Sequence, residues 1–243
     1  MRKLTIILML LALVFLFVAC GDNGKTNDPT PTPEVTAEPT EEPTPTEEPT
    51  PAPTRVPDPE VDAIIFNFFY ENDHGHSLID GTQHCNAEWV EGKGLGIFPV
   101  SEDPWVLVGA IGPEGEELNI TDYPVFKIRV MNQTPSDKFE AFLQRSGEIT
   151  GDDLFQGSIG ANGTDFVDIV MDLTEVKGEG FLTVNNGTLT AIRLDIVNLS
   201  PWKDEVEEKA GDNDIVIYVD YVGFFKTVED AEGWVPTHVS EQE

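Results

Sequence analysis

Two runs decide the fold: LTAIRLDIVN, residues 189–198, and DIVIYVDYVGFFK, residues 214–226. In the first, Ile192, Leu194 and Ile196 alternate with Arg193 and Asp195, the period-two pattern of a strand with one buried face. In the second, both faces are apolar, which predicts a central strand covered on both sides. Asp220 is its lone charge, and a buried carboxylate without a partner is costly. The second run therefore requires something to answer Asp220.

Outward from this pair, short β runs recur between Gly, Asn, Asp and Pro. They are VDAIIFNFFY (61–70), 86–91, 94–100, 105–110, PVFKIRVMN (124–132), KFEAFLQR (138–145) and DFVDIVMD (165–172). With 189–197 and 214–225 they make about nine strands, the signature of an all-β sandwich or barrel. Only 202–210 and 228–232 read as helix. There is no βαβ alternation, no GxGxxG, no phosphate loop and no internal repeat. Residues 61–235 form one domain, long enough to bury roughly 70% of its unfolded surface. An acidic tail, 236–243, follows.

The amino-terminal part is of another kind. Arg2 and Lys3 precede an apolar run from Leu4 to Ala19, too short for a spanning helix and ordered like a secretory signal. The run ends in Phe17-Val18-Ala19-Cys20-Gly21, which resembles a bacterial lipoprotein signal. That resemblance implies a signal peptide over residues 1–19, cleavage before Cys20 and lipid attachment to its sulfur. A signal cut elsewhere or an uncleaved anchor are the alternatives. Residues 20–60 are low complexity, PTPTPEVTAEPTEEPTPTEEPTPAPT, with eleven of the 18 prolines between Pro29 and Pro59. Proline removes backbone donors and the glutamates repel one another, so a disordered, extended Pro/Thr/Glu stalk is expected. At about 3.1 Å per residue such a stalk reaches on the order of 120 Å.

The chain carries 14 Lys and Arg against 45 Asp and Glu, a formal charge of -31. Nucleic acid and anionic lipid surfaces are disfavoured as partners, so membrane contact is expected only through the lipid anchor. Much of the acid is accounted for by solubility. The two cysteines, Cys20 and Cys85, do not make a disulfide framework.

The series YPVFKIRVMNQT, FEAFLQRSG, DFVDIVMDL, NNGTLTAIRLDIVN and IVIYVDYVGFFKTVEDAEGW resembles the jelly-roll modules of bacterial surface and polysaccharide-degrading proteins. It is similar in kind to calcium-containing, galactose-binding-like carbohydrate-binding β-sandwiches. The likeness implies a non-catalytic module that holds a polysaccharide or cell-wall glycan.

Strand alternation sorts the faces. Phe126, Ile128 and Val130, then Phe139, Ala141 and Leu143, then Val167, Ile169 and Met171, then Ile192, Leu194 and Ile196 are expected to fill the core. If these strands share a sheet, the opposite face carries Lys127, Arg129, Glu140, Phe142, Gln144 and Arg193. Such a mixture suits a sugar, because pyranose C–H faces pack on aromatic rings while Arg, Gln and carboxylates take the hydroxyls. Paired charges on a solvated sheet are the plainer reading. Trp89, Trp105 and Trp202 are further binding candidates, and Trp234 reads as a structural clasp.

Asp220 resembles the last-strand acid that helps hold a structural calcium in related modules. Glu71 and Asp73, at the end of the first strand, offer the oxygen ligands calcium requires. His74, His76, His84 and Cys85 fit no established zinc spacing, and SLIDGTQ between them reads as loop. No GxSxG occurs, and no carboxylate pair stands out as a glycosidase pair. The sequence thus points to a lipid-anchored, stalked carbohydrate-binding module on the extracellular face of the bacterial cell membrane, not an enzyme. The alternative is a structural or protein-binding envelope module of the same fold.

Overall fold

The computed structural model describes residues 55–112, 114–145, 147–210 and 215–240. The lipoprotein signal, Cys20 and nearly all of the stalk lie outside them. Among the described residues the chain forms thirteen strands. They are β1 (Ala63–Asn67), β2 (Ile79–Gln83), β3 (Cys85–Val90), β4 (Gly94–Pro99), β5 (Trp105–Gly109), β6 (Leu118–Asn119) and β7 (Val125–Asn132). Then follow β8 (Lys138–Gln144), β9 (Leu154–Ser158), β10 (Val167–Asp172), β11 (Thr188–Leu189), β12 (Ala191–Asp195) and β13 (Ile217–Phe225). Short helices punctuate them: α1 (His74–Ser77), α2 (Leu173–Lys177), α3 (Lys203–Glu208), α4 (Val228–Gly233) and α5 (Thr237–Ser240).

Two antiparallel sheets face each other. The first runs β10-β7-β13-β4-β3 and the second β9-β8-β12-β5-β2. Matched position by position, each strand of one sheet is the chain neighbour of its counterpart in the other: β10 with β9, β7 with β8, β13 with β12. This regular crossing from sheet to sheet is a jelly roll. β1 extends the first sheet along the edge of β13 that β4 leaves free, pairing Ala63–Asn67 with Phe225–Tyr221.

The expected inward sets do fill the space between the sheets. Phe126, Ile128 and Val130 meet Phe139, Ala141, Leu143, Ile192 and Leu194 in one cluster, all essentially without solvent exposure. Phe126 lies at its centre, with ring centroids 4.8 Å from Phe155, 5.6 Å from Phe224 and 5.8 Å from Phe139. β10 is looser: Ile169 and Met171 pack on this core while Val167 is exposed at the sheet edge.

β13 is buried along its whole length, as expected of a strand covered on both faces. Its register against β7 shifts between Val219 and Tyr221, which makes Asp220 the extra residue of a β-bulge. The carbonyl of Asp220 accepts from Phe68 N at 2.8 Å where the chain leaves β1. Gly94 approaches the same spot at φ +84, and a Cβ there would stand 2.5 Å from the carbonyl oxygen of Val219. Only glycine allows β4 to start this close to the bulge.

Two strands of the large sheets were not anticipated, nor was the two-residue β6, which pairs with β11. IDGTQ, read as loop, is β2, and LFQGS is β9; both are edges of the second sheet. Edge strands bury little of one side and tolerate glycine and polar residues, so they lack the apolar run that marks a central strand. The folded body also reaches past the expected boundaries of 61 and 235. Trp234 Nε1 donates to the Pro59 carbonyl at 3.0 Å, and Thr237 takes Asp58 Oδ1 at 3.0 Å and the Pro57 carbonyl at 2.8 Å. Residues 55–60 and 234–240 are thus laid side by side.

Candidate functional site

The outer face of the second sheet carries the densest set of predicted binding residues. On β12, Arg193 stands opposite Leu107 of β5 and Phe142 of β8. Its guanidinium carbon lies 4.8 Å from the Trp105 ring centroid and 5.0 Å from that of Phe142. Both contacts are cation–π contacts, and they hold the two rings at a fixed spacing on a half-exposed surface. Arg193 is itself held from within its own strand. Its Nε and Nη2 donate to the two oxygens of Asp195 at 2.7 and 2.6 Å, a bidentate pair. Asp103, in the loop before β5, lies 4.0 Å from Nη2.

Around this centre the sheet register adds hydrogen-bonding groups. Glu140 pairs across β8 with Asp195 on one side and Gln156 of β9 on the other, and Gln156 Nε2 donates to it at 2.6 Å. Gln83 of β2 stands opposite Trp105, and Leu154 opposite Phe142. Gln144 closes the next row, its amide turned to the Gly147 carbonyl at 2.6 Å. Glu140, Phe142, Gln144 and Arg193 are therefore brought together, as the alternation implied, and Trp105 joins them. Gln83, Asp103, Leu154 and Gln156 were missed, three of them because β2 and β9 were not recognised as strands.

Asp195 is buried, only 4% exposed, and burial pushes its carboxyl up to about 6 although Arg193 grips both oxygens. Beneath the face, the Cys85 thiol donates to the Trp105 carbonyl at 3.3 Å and burial raises it to about 12. A thiol so held is not a reactive or metal-binding thiolate at neutral pH. His74 and His76 turn to the Ile111 and Phe68 carbonyls instead.

Lys127 and Arg129 are not on this face. The expectation that they share it with Glu140, Phe142, Gln144 and Arg193 is corrected by the topology: β7 belongs to the first sheet, β8 and β12 to the second. Period-two alternation separates inside from outside but does not say which sheet a strand joins, and β7 and β8 are joined across the sandwich. Lys127 is 2% exposed and donates to the Ala231 and Trp234 carbonyls at 2.7 and 2.8 Å, beneath the segment that carries α4. Burial lowers its affinity for a proton. Arg129 Nε lies 3.2 Å from Asp220, and its Nη1 lies 3.4 Å from Asp168, with Phe166 5.4 Å away.

Trp89 sits at the other edge of the first sheet, its indole donating to the Phe69 carbonyl at 3.0 Å. Trp202 ends a turn, Ser200–Trp202, and packs partly against the core. Its loop is tied to the loop before β5 by Leu199 N to Glu102 O at 2.9 Å and by Lys203 to Glu102 at 3.1 Å. Trp202 therefore borders the same end of the sandwich as Asp103, whereas Trp89 does not. Trp234, as expected, is a clasp, edge-on to Tyr221 with centroids 4.9 Å apart.

Of the acids proposed for calcium, Asp220 and Asp73 each face a cationic or imidazole partner, although Asp220 Oδ1 is buried without a hydrogen-bond partner. Asp220 Oδ2 lies 2.9 Å from His238 Nε2 and near Arg129, and burial raises its carboxyl. Asp73 is taken by Arg55 and by Tyr70 N at 2.7 Å. Glu71 is exposed. Among the described residues no group of three or more His, Cys, Asp or Glu is placed to hold a metal. Calcium requires six to eight oxygens, and a donor set faced by a guanidinium and an imidazole does not fit it.

No protein-family model matches the chain, and no curated protein does. Among solved structures, a low-affinity xylan-binding module from Roseburia intestinalis is similar at 11% identity over 69% of this chain and 98% of its own, TM-score 0.43. A carbohydrate-binding module of Clostridium stercorarium solved with cellobiose is similar at 13% over 69% and 95%, TM-score 0.36. The K2 cleaved adhesin domain of Lys-gingipain, at 12% over 66% and 99%, has a TM-score of 0.36.

Proposed function

We propose that the outer face of the second sheet binds a glycan chain, and that the protein is a non-catalytic carbohydrate-binding module displayed at the cell surface on a lipid-anchored stalk. The carrying observation is the Trp105–Arg193–Phe142 row: two aromatic rings fixed by one guanidinium on a half-exposed sheet face. Rings at fixed spacing offer flat apolar surfaces to successive sugars at little entropic cost. Gln83, Glu140 and Gln156 flank them with hydroxyl partners. The carboxylates have binding and positioning roles in this reading, since Asp195 serves Arg193 and Glu140 receives Gln156. The Phe17–Gly21 motif and the proline-rich stalk support display outside the cell.

Affinity electrophoresis of the purified protein in gels containing xylan, β-glucans, mannan or galactan tests this. At least one should retard migration, and Trp105→Ala should weaken the retardation about tenfold, the loss of one stacking contact. If no polysaccharide retards the protein, or Trp105→Ala migrates as the wild type does, the reading fails.

A further inference from the structure

We infer that Asp195 is a specificity-determining residue that reserves the face for uncharged sugars, by occupying the one guanidinium an acidic sugar would bind. The inference rests on the glycan reading above and goes beyond it. An arginine on an aromatic sheet face is the natural seat for a uronate carboxylate or a sulfate, because its fork matches two anionic oxygens. Here the Nε–Nη2 side of the fork is already filled from within the chain. Nε and Nη2 of Arg193 each meet one oxygen of Asp195, at 2.7 and 2.6 Å. The side chain of Asp195 is 5% exposed against 22% for Arg193, so the internal carboxylate is the buried partner and the guanidinium the accessible one.

The surroundings add to this exclusion. Among the described charged groups of the face, Arg193 is matched by Asp195, while Asp103 at 4.0 Å and Glu140 across from Asp195 are further negative charges. An incoming carboxylate would either displace Asp195, leaving it buried without a partner, or take the Nη1 side against the charge of Asp195, and on either path it would meet two more acids. A neutral chain has neither cost. It stacks on Trp105 and Phe142 and leaves the ion pair in place.

The inference predicts a gain of function. Asp195→Asn keeps the shape and one acceptor but frees the guanidinium for an outside anion. Matched pairs isolate the charge: unsubstituted against glucuronic-acid-substituted xylan, and methyl-esterified against demethylated homogalacturonan. The full chain in detergent should bind only the neutral member of a pair. In Asp195→Asn the ratio of acidic to neutral affinity should rise about tenfold over wild type, one charge-assisted contact's worth. Adding Arg193→Gln to Asp195→Asn should abolish the gain.

A second readout needs no substitution at Asp195. The groups facing it are Arg193 on its own strand, Glu140 on β8, Asp103 in the loop before β5 and the Cys85 thiol of β3. Dextran sulfate, whose charge does not titrate, should be retained by wild type at pH 5 and released at pH 7.5, and Arg193→Gln should show no such difference. Neutral binding without any gain in Asp195→Asn, or equal binding of both members by wild type, overturns this inference and leaves the glycan reading standing. Binding of no polysaccharide by either protein overturns both.

Discussion

Arg193 and Asp220 show how differently two charges of one sandwich are used. Arg193 is half-exposed and organises aromatic rings at the surface; Asp220 is sealed beneath the carboxyl-terminal segment with His238 and Arg129. Asp195 links the surface site to stability. Its carboxyl titrates near 6 in the folded protein, above the usual value near 4 of an unfolded chain. The folded state therefore holds this proton more tightly, so its contribution to stability is full below about pH 4 and is lost as the pH climbs toward 6. Thermal unfolding should show wild type losing stability between pH 4.5 and 7 relative to Asp195→Asn. Parallel curves for the two proteins would contradict the assignment.

Among the elements, β13 with its bulge and the segment that closes over it do the most. The bulge turns both Asp220 and Tyr221 to the outer face, where Tyr221 donates to Asp168 at 3.0 Å and α4 with Trp234 covers them. Ending the chain at Gly233 removes Trp234 and His238, takes one carbonyl from Lys127 and leaves Asp220 facing Arg129 alone. Taking a hydrogen-bonding partner from a buried carboxylate in this way costs about 1–3 kcal/mol, and urea unfolding should register at least the lower figure. A truncated chain as stable as the whole would show that the segment is an appendage. The edge strands behave oppositely: β2 and β9 contribute Gln83 and Gln156 to the site while burying little.

At the scale of the molecule, the ends of the body meet. Residues 55–60 and 234–240 bind one another through Trp234, Thr237 and Asp58, so the chain enters the sandwich beside the place where its last helix is docked. The proposed binding face belongs to the second sheet, whereas this junction lies over the first, through Lys127 and β13. Among the described residues no helix is long and apolar enough to cross a membrane. If attachment is through Cys20, as proposed, Cys20→Ser should move the protein from the membrane fraction to the soluble one. Retention in membranes would refute the lipoprotein reading.

The sequence by itself determined the architecture and half of the site. Alternation in 124–132, 138–145 and 189–197 named the core residues correctly, and the doubly apolar run of β13 located the central strand. It also singled out Arg193, Phe142 and Glu140 as outward-facing and Trp105 as a binding candidate. The tertiary structure alone decided which outward residues share a face, because a period of two carries no information on sheet membership. That is why Lys127 and Arg129 moved to the opposite side and beneath a cover. It alone also showed that the answer to Asp220 comes from His238 and Arg129, one beyond the expected end of the domain and one on a neighbouring strand. Partners of a buried charge are set by long-range packing, which local patterning does not encode.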